Sequence, residues 1–121
     1  MRMVLRTNAG SFEIELNDNE TAMAVYLKLP IEELTNAWGD EIYFPVPVDL
    51  PLENGKREME VGEVAYWPDG NAICFFYGRT PVSVDERPMA FSPVTPIGKI
   101  VGDPALLRKV GDRIKVRLER L

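Results

Sequence analysis

The sequence predicts a mainly β protein: a closed barrel of about eight mostly antiparallel strands with one or two short helices, in a single domain over residues 1–121. Three observations carry this. Apolar residues recur at every second position in several separate stretches. Turn-forming residues punctuate those stretches at short intervals. Only two segments show helical spacing or caps. Short antiparallel hairpins suit a closed sheet, whereas a doubly wound parallel sheet needs more helices to cover its faces. A chain of this length fits the usual size of one domain.

The elements follow in order. Met3 and Leu5, then Phe12, Ile14 and Leu16, alternate with Arg2, Arg6, Glu13 and Glu15, the pattern of two half-buried strands. Asn8-Ala9-Gly10 between them is a turn, because Asn and Gly tolerate positive φ. Asn17 with Glu20 reads as a capping box, and Ala22, Val25, Tyr26 and Leu29 recur at helical spacing until Pro30 stops the helix. Ile31–Ala37 is ambiguous between strand and helix. Trp38-Gly39-Asp40 is a turn, after which Ile42, Phe44, Val46 and Val48 alternate. Pro45, Pro47 and Pro51 cannot donate to a ladder, so this stretch lies on an edge or leaves the sheet.

Residues 52–57 form a polar loop around Asn54-Gly55, and Met59 and Val61 begin a short strand. Val64–Trp67 and Ala72–Tyr77 flank Pro68-Asp69-Gly70-Asn71, which has strong turn chemistry. The second arm is apolar at every position, so it is buried on both faces or lines a pocket. Gly78–Pro96 holds four prolines and no period, a long irregular loop of the kind that often carries function. Thr95–Val101 returns as a strand. Asp103 caps a short helix with Pro104 at its first position and Gly111 beyond its end, and Ile114, Val116 and Leu118 alternate in a last strand.

Composition excludes several chemistries. The chain has no His, which removes Ser-His-Asp and Cys-His nucleophile pairs and His-ligated zinc or haem. Its one Cys removes intrachain disulfides and thiolate clusters, so no cofactor or metal is expected. A net charge of −5 argues against nucleic acid as a partner, since phosphate binding wants a basic face. The charge is uneven: residues 1–98 carry 7 basic and 16 acidic side chains, residues 99–121 carry 7 and 3. The expected reason is that a basic tail strand pairs with an acidic body; association between copies is the alternative. Met1–Leu16 alternate and contain acids, unlike a signal peptide, and no run approaches the ~20 apolar residues of a membrane helix. Asn19-Glu20-Thr21 matches a glycosylation sequon by chance. The expectation is a cytoplasmic protein with a reduced thiol, without membrane or nucleic-acid partners.

Two stretches resemble cyclophilins. Asn-Ala-Ile-Cys-Phe-Phe at 71–76 stands where that family has Asn-Gly-Ser-Gln-Phe-Phe, and Ile-Gly-Lys-Ile at 97–100 resembles its Phe-Gly-Lys-Val. A fuller resemblance, over nearly the whole chain, is to a prokaryotic cyclophilin-like group of small single-domain proteins of unassigned function. Its marks are Asn36-x-Trp38-Gly39-Asp40-Glu41-Ile42-Tyr43-Phe44; the run from Gly62 through Tyr66-Trp67-Pro68 to Cys74 and Phe76; and Gly78-x-Thr80-Pro81. The resemblance implies an eight-stranded barrel flanked by two helices. Residues 42–62 contain neither the Phe-x-Arg-Val-Ile nor the Gln-Gly-Gly-Asp segment of true cyclophilins. The arginine that acts on the prolyl nitrogen therefore has no counterpart. The family's glutamine is Cys74 here, its site histidine is missing, and its site phenylalanine falls at Phe76.

Candidate site residues follow from this pattern. Tyr66, Trp67, Phe76 and Phe91 are expected to form an apolar pocket, with Arg79 or Arg87 as a donor from the loop. Trp38 and Tyr43, at a turn, are candidates for the same binding surface. The reading is a barrel that binds a peptide segment or small molecule in an aromatic groove. The alternatives are a weak peptidyl-prolyl isomerase, which needs a dry pocket and a donor aimed at the amide nitrogen, and a non-catalytic homo-oligomeric or partner-interaction protein. Cys74, without a His to activate it, is expected to be a buried structural thiol. Asp40-Glu41 and Glu58-x-Glu60 are expected to be solvated.

Overall fold

Alternation at the N-terminus becomes two paired strands, β1 (Arg2–Thr7) and β2 (Gly10–Leu16), in a computed structural model that describes residues 1–121. Their apolar positions face one interior, where Met3, Leu5 and Ile14 are fully buried. Helix α1 (Glu20–Leu27) follows. Its N-cap is Asn19, whose side chain accepts a hydrogen bond from the Ala22 N–H at 2.8 Å. The expected capping box from Asn17 is therefore displaced by two residues: Asn17 instead donates from its backbone to Ile97 and from its side chain to Pro96.

The ambiguous stretch resolves into strands β3 (Ile31–Leu34) and β4 (Asn36–Ala37), and the next alternation into β5 (Glu41–Pro45). The chain leaves the sheet after Pro45, as the prolines require. Next come β6 (Lys56–Glu58), β7 (Glu63–Trp67), a 3-10 turn at Pro68–Gly70, and β8 (Ala72–Phe76). Strand β6 ends before Met59, so the expected strand start at Met59 and Val61 is shifted; Met59 is a buried core residue instead. Strand β9 spans Met89–Val101, beginning six residues earlier than expected, so the irregular loop is confined to residues 78–88. Its prolines are tolerated because the ladder with β7 shifts register between Val64 and Ala65, where Pro96 faces Ala65. A 3-10 helix at Pro104–Lys109, capped by Asp103, precedes β10 (Lys115–Arg120).

All ladders are antiparallel. The strand order is β3-β10-β1-β2-β9-β7-β8-β5-β4, with β6 on β9. This corrects the expected closed barrel of about eight strands: there are ten, and the hydrogen-bonded path has two free ends. Those ends, β3 and β4, are consecutive in the chain and separated by Thr35 alone. The ladder does not close there because the seam's polar groups are engaged by the turn before β10. The Thr35 N–H donates to Ile114 O and its hydroxyl to Gly111 O, its carbonyl accepts from the Arg113 N–H, and the Ala37 N–H donates to Asp112.

The rolled sheet encloses a cluster of 23 buried apolar residues from nearly every element, with α1 set over it through Ala22 and Val25. Tyr66 lies in this cluster, and its hydroxyl donates to Val48 O at 2.6 Å while accepting from the Asn71 side chain at 3.0 Å and the Leu50 N–H at 3.3 Å. That hydroxyl ties the 46–50 segment to the sheet. Tyr66→Phe is expected to lower stability by about 1–3 kcal/mol, because it strands buried partners; urea unfolding measures it, and an unchanged midpoint would contradict the role.

The C-terminal strand meets one acidic neighbour, Glu32 of β3, through Arg117 and Lys115; its own Glu119 pairs with Arg117 and with Arg6 of β1. These pairs are largely exposed, so they set register more than stability. No helix is long and apolar enough to cross a membrane.

Candidate functional site

Period-two geometry gives β8 two different faces. Ile73 and Phe75 point into the main core, while Cys74 and Phe76 point to the other side of the sheet. Cross-strand partners share a face, so Cys74 stands beside Tyr43 of β5 and Ala65 of β7, and Phe76 beside Glu41. This outer face is covered by Met59, just after β6, and by the start of β9. Met59, Ala65, Cys74, Phe76, Ala90 and Val94 make a second, smaller core there. Both readings of the continuously apolar strand thus hold together: it is buried on both faces, and it lines a pocket.

The pocket is a cavity of about 220 Å³ next to the second core. Cys74, Ala90 and Val94 form its buried end. Trp38, Tyr43, Trp67 and Phe91 ring it, and Glu41 supplies its polar group. The rings meet edge to face in sequence: Trp38 with Phe91 at 6.0 Å, Phe91 with Trp67 at 6.2 Å, and Trp67 with Tyr43 at 6.0 Å between centroids. Phe91 is the most open of them at 65 % exposed. The two tryptophans are held from behind. The Trp67 indole N–H donates to Ser92, which donates to Asp69. Trp38 sits on a tight turn in which its backbone exchanges hydrogen bonds with Glu41. Gly39 in that turn has φ +59°, and a β-carbon there would lie 2.9 Å from the Arg79 carbonyl oxygen, so only glycine lets the turn pack on the 79–81 segment.

Four of the expected site residues, Trp38, Tyr43, Trp67 and Phe91, converge on this pocket. Tyr66 does not: adjacent strand residues face opposite ways, so the residue before Trp67 belongs to the main core. Phe76 is on the pocket's side of the sheet but is packed away in the second core. Arg79 pairs with Glu86, and Arg87 with Asp85 and Glu58, out along the loop.

The expected solvation of Asp40-Glu41 is corrected for both acids. Asp40 is half-buried and accepts from Arg108 at 2.7 Å. Glu41 is 5 % exposed and has no lysine or arginine within ion-pair reach. Burial pushes its carboxyl up to about 7, only partly offset by the thiol of Cys74 beside it. Burial and this carboxyl in turn push the Cys74 thiol up, which fits a structural and not a nucleophilic cysteine. Sequence reasoning missed Glu41 because Glu41, Tyr43 and Pro45 alternate with Ile42 and Phe44, as on a solvated strand face. The fully apolar partner strand was the one signal that this face is covered. Glu58 and Glu60 are exposed as expected, on Arg87 and Lys99.

The profile of the cyclophilin-like family matches residues 1–119. The chain belongs to that family. Among solved structures, this cyclophilin-like protein is similar to a hypothetical protein of Archaeoglobus fulgidus, known as a solution structure. The two are 43% identical, the match covers 100% of this chain and 95% of that one, and the TM-score is 0.84. No protein of curated function matches the chain. Cys74 lies in the pocket's buried end, and Phe76 lies beside it in the second core.

Proposed function

We propose that this cyclophilin-like protein is a binding module whose aromatic pocket takes the end of a peptide side chain or a small molecule. The observation that carries this is the convergence of four partly open aromatic rings, from three separate parts of the chain, on one cavity with a buried carboxyl. At about 220 Å³ the cavity is below the ~300–1,000 Å³ of sites that engulf whole drug-sized ligands. It suits a head group or one side chain. Prolyl isomerisation is the weaker reading, because the arginines expected to aim at the amide nitrogen are engaged along the loop.

Phe91→Ala tests the binding reading. The ring is mostly exposed, so stability should change by less than ~0.5 kcal/mol. Any ligand that shifts the Trp38 and Trp67 indole signals in an NMR titration should bind at least about tenfold more weakly, the loss of about 1.4 kcal/mol from one aromatic wall. Unchanged affinity would remove the pocket from the account. A proline-peptide assay no faster than buffer would close the isomerase alternative.

A further inference from the structure

The protein has two buried glutamates, and they are treated differently. Glu63 accepts from Lys56 at 2.9 Å and from the Glu60 N–H at 2.8 Å, so its charge is matched. Glu41, equally buried, has no cation: the nearby Arg108 is held by Asp40. Buried carboxylates are ordinarily paired, because an isolated charge is costly away from water. The space facing Glu41 is not filled by protein; it is the aromatic cavity itself. Trp, Tyr and Phe rings present negative π-faces that attract cations, and rings grouped around a small cavity are the usual means of holding alkylated ammonium groups. Lys and Arg heads prefer water or a carboxylate fork, whereas an alkylated ammonium is both cationic and oily, and so matches a site with apolar walls and one acid.

We propose that the pocket of Trp38, Tyr43, Trp67 and Phe91 binds an alkylammonium cation, whose charge supplies the partner that Glu41 lacks. This rests on the binding reading above and names its ligand class. The cation is borne by a small molecule or by a methylated lysine of a peptide, since both present the same head group.

The test is an NMR titration of the full chain, following the Trp38 and Trp67 indole signals, with three probes. These are choline, its neutral isostere 3,3-dimethylbutan-1-ol, and a short peptide carrying trimethyllysine. The expected result is that choline or the peptide binds at least tenfold more tightly than the neutral alcohol, the tighter of the two identifying the source of the cation. Glu41→Gln should abolish that preference by weakening both cations at least tenfold. If the alcohol binds as well as both cations, the charge proposal falls and the binding pocket stands. If none of the probes, nor a peptide library, moves the indoles, the pocket reading falls as well. The cation-against-isostere comparison in the unmutated protein decides the matter even if Glu41→Gln folds poorly.

Discussion

Stability is expected to fall by up to about 3 kcal/mol between pH 5 and pH 8, and Glu41→Gln to remove most of that fall. In the folded chain the Glu41 carboxyl is pushed from its ordinary 4.5 up to about 7 by burial. Between those values the folded state holds a proton that the unfolded state has released. Stability from this group is therefore full below about 4.5, declines as pH rises, and levels off above about 7. At about 1.4 kcal/mol per pH unit the whole span from 4.5 to about 7 is about 3.5 kcal/mol, most of which falls between pH 5 and pH 8. The ion-paired acids act in another window. Glu32, Glu60, Asp85 and Glu119 are held below the usual carboxylate range by hydrogen bonds from Arg117, Lys99, Arg87 and Arg6 respectively, so their contribution is lost only as pH drops below about 4.5. They are exposed, and that acid limb is shallow. The Cys74 thiol beside it is pushed up by burial and by this carboxyl, away from this range. Urea midpoints at pH 5, 6, 7 and 8 for both proteins give the answer. Parallel curves would mean that Glu41 reaches water freely and would overturn this prediction.

Phe75→Ala is expected to cost about 3–5 kcal/mol, a large share of the ~5–15 kcal/mol that holds a domain of this kind together. The ring is fully buried in the main core and stacks on Phe44, with centroids 5.8 Å apart. Truncation removes its apolar contacts and leaves a hole that β-strands on a shared ladder cannot collapse to fill. Its neighbour Cys74 points the other way. The same strand therefore makes a sharp forecast: Phe75→Leu, which keeps most of the volume, should destabilise by ~1 kcal/mol and leave probe binding in the outer pocket intact. Chemical denaturation and the indole titration read the two effects separately. A Phe75→Leu protein that folds but loses its ligand would show that the two faces of β8 are not independent.

Several features were legible from residue order because they are local. Alternation at 3–5, 12–16 and 114–118 set strands, Asp103-Pro104 set a capped turn of helix, and Pro68-Asp69-Gly70-Asn71 set the hairpin, since each rests on backbone preferences within a few residues. Trp38, Tyr43, Trp67 and Phe91 were legible as surface candidates because aromatic residues at turns and loops tend to stay partly open. Tyr66, next to Trp67 on β7, lies on the opposite face by the period of two and so belongs to the main core.

What tertiary structure alone decided is which faces are covered. By itself the sequence determined an antiparallel β chain of the cyclophilin-like kind, with an apolar strand at 72–76 and aromatic turns. That β4 and β3 leave the sheet open at Thr35 depends on hydrogen bonds to residues 111–114, some 76 or more positions away. That Glu41 is buried without a cation depends on Met59 and the start of β9 folding over a strand face whose own pattern reads as solvated. Spacing along a strand fixes the side on which a side chain lies; only the packing of distant segments fixes whether that side meets water.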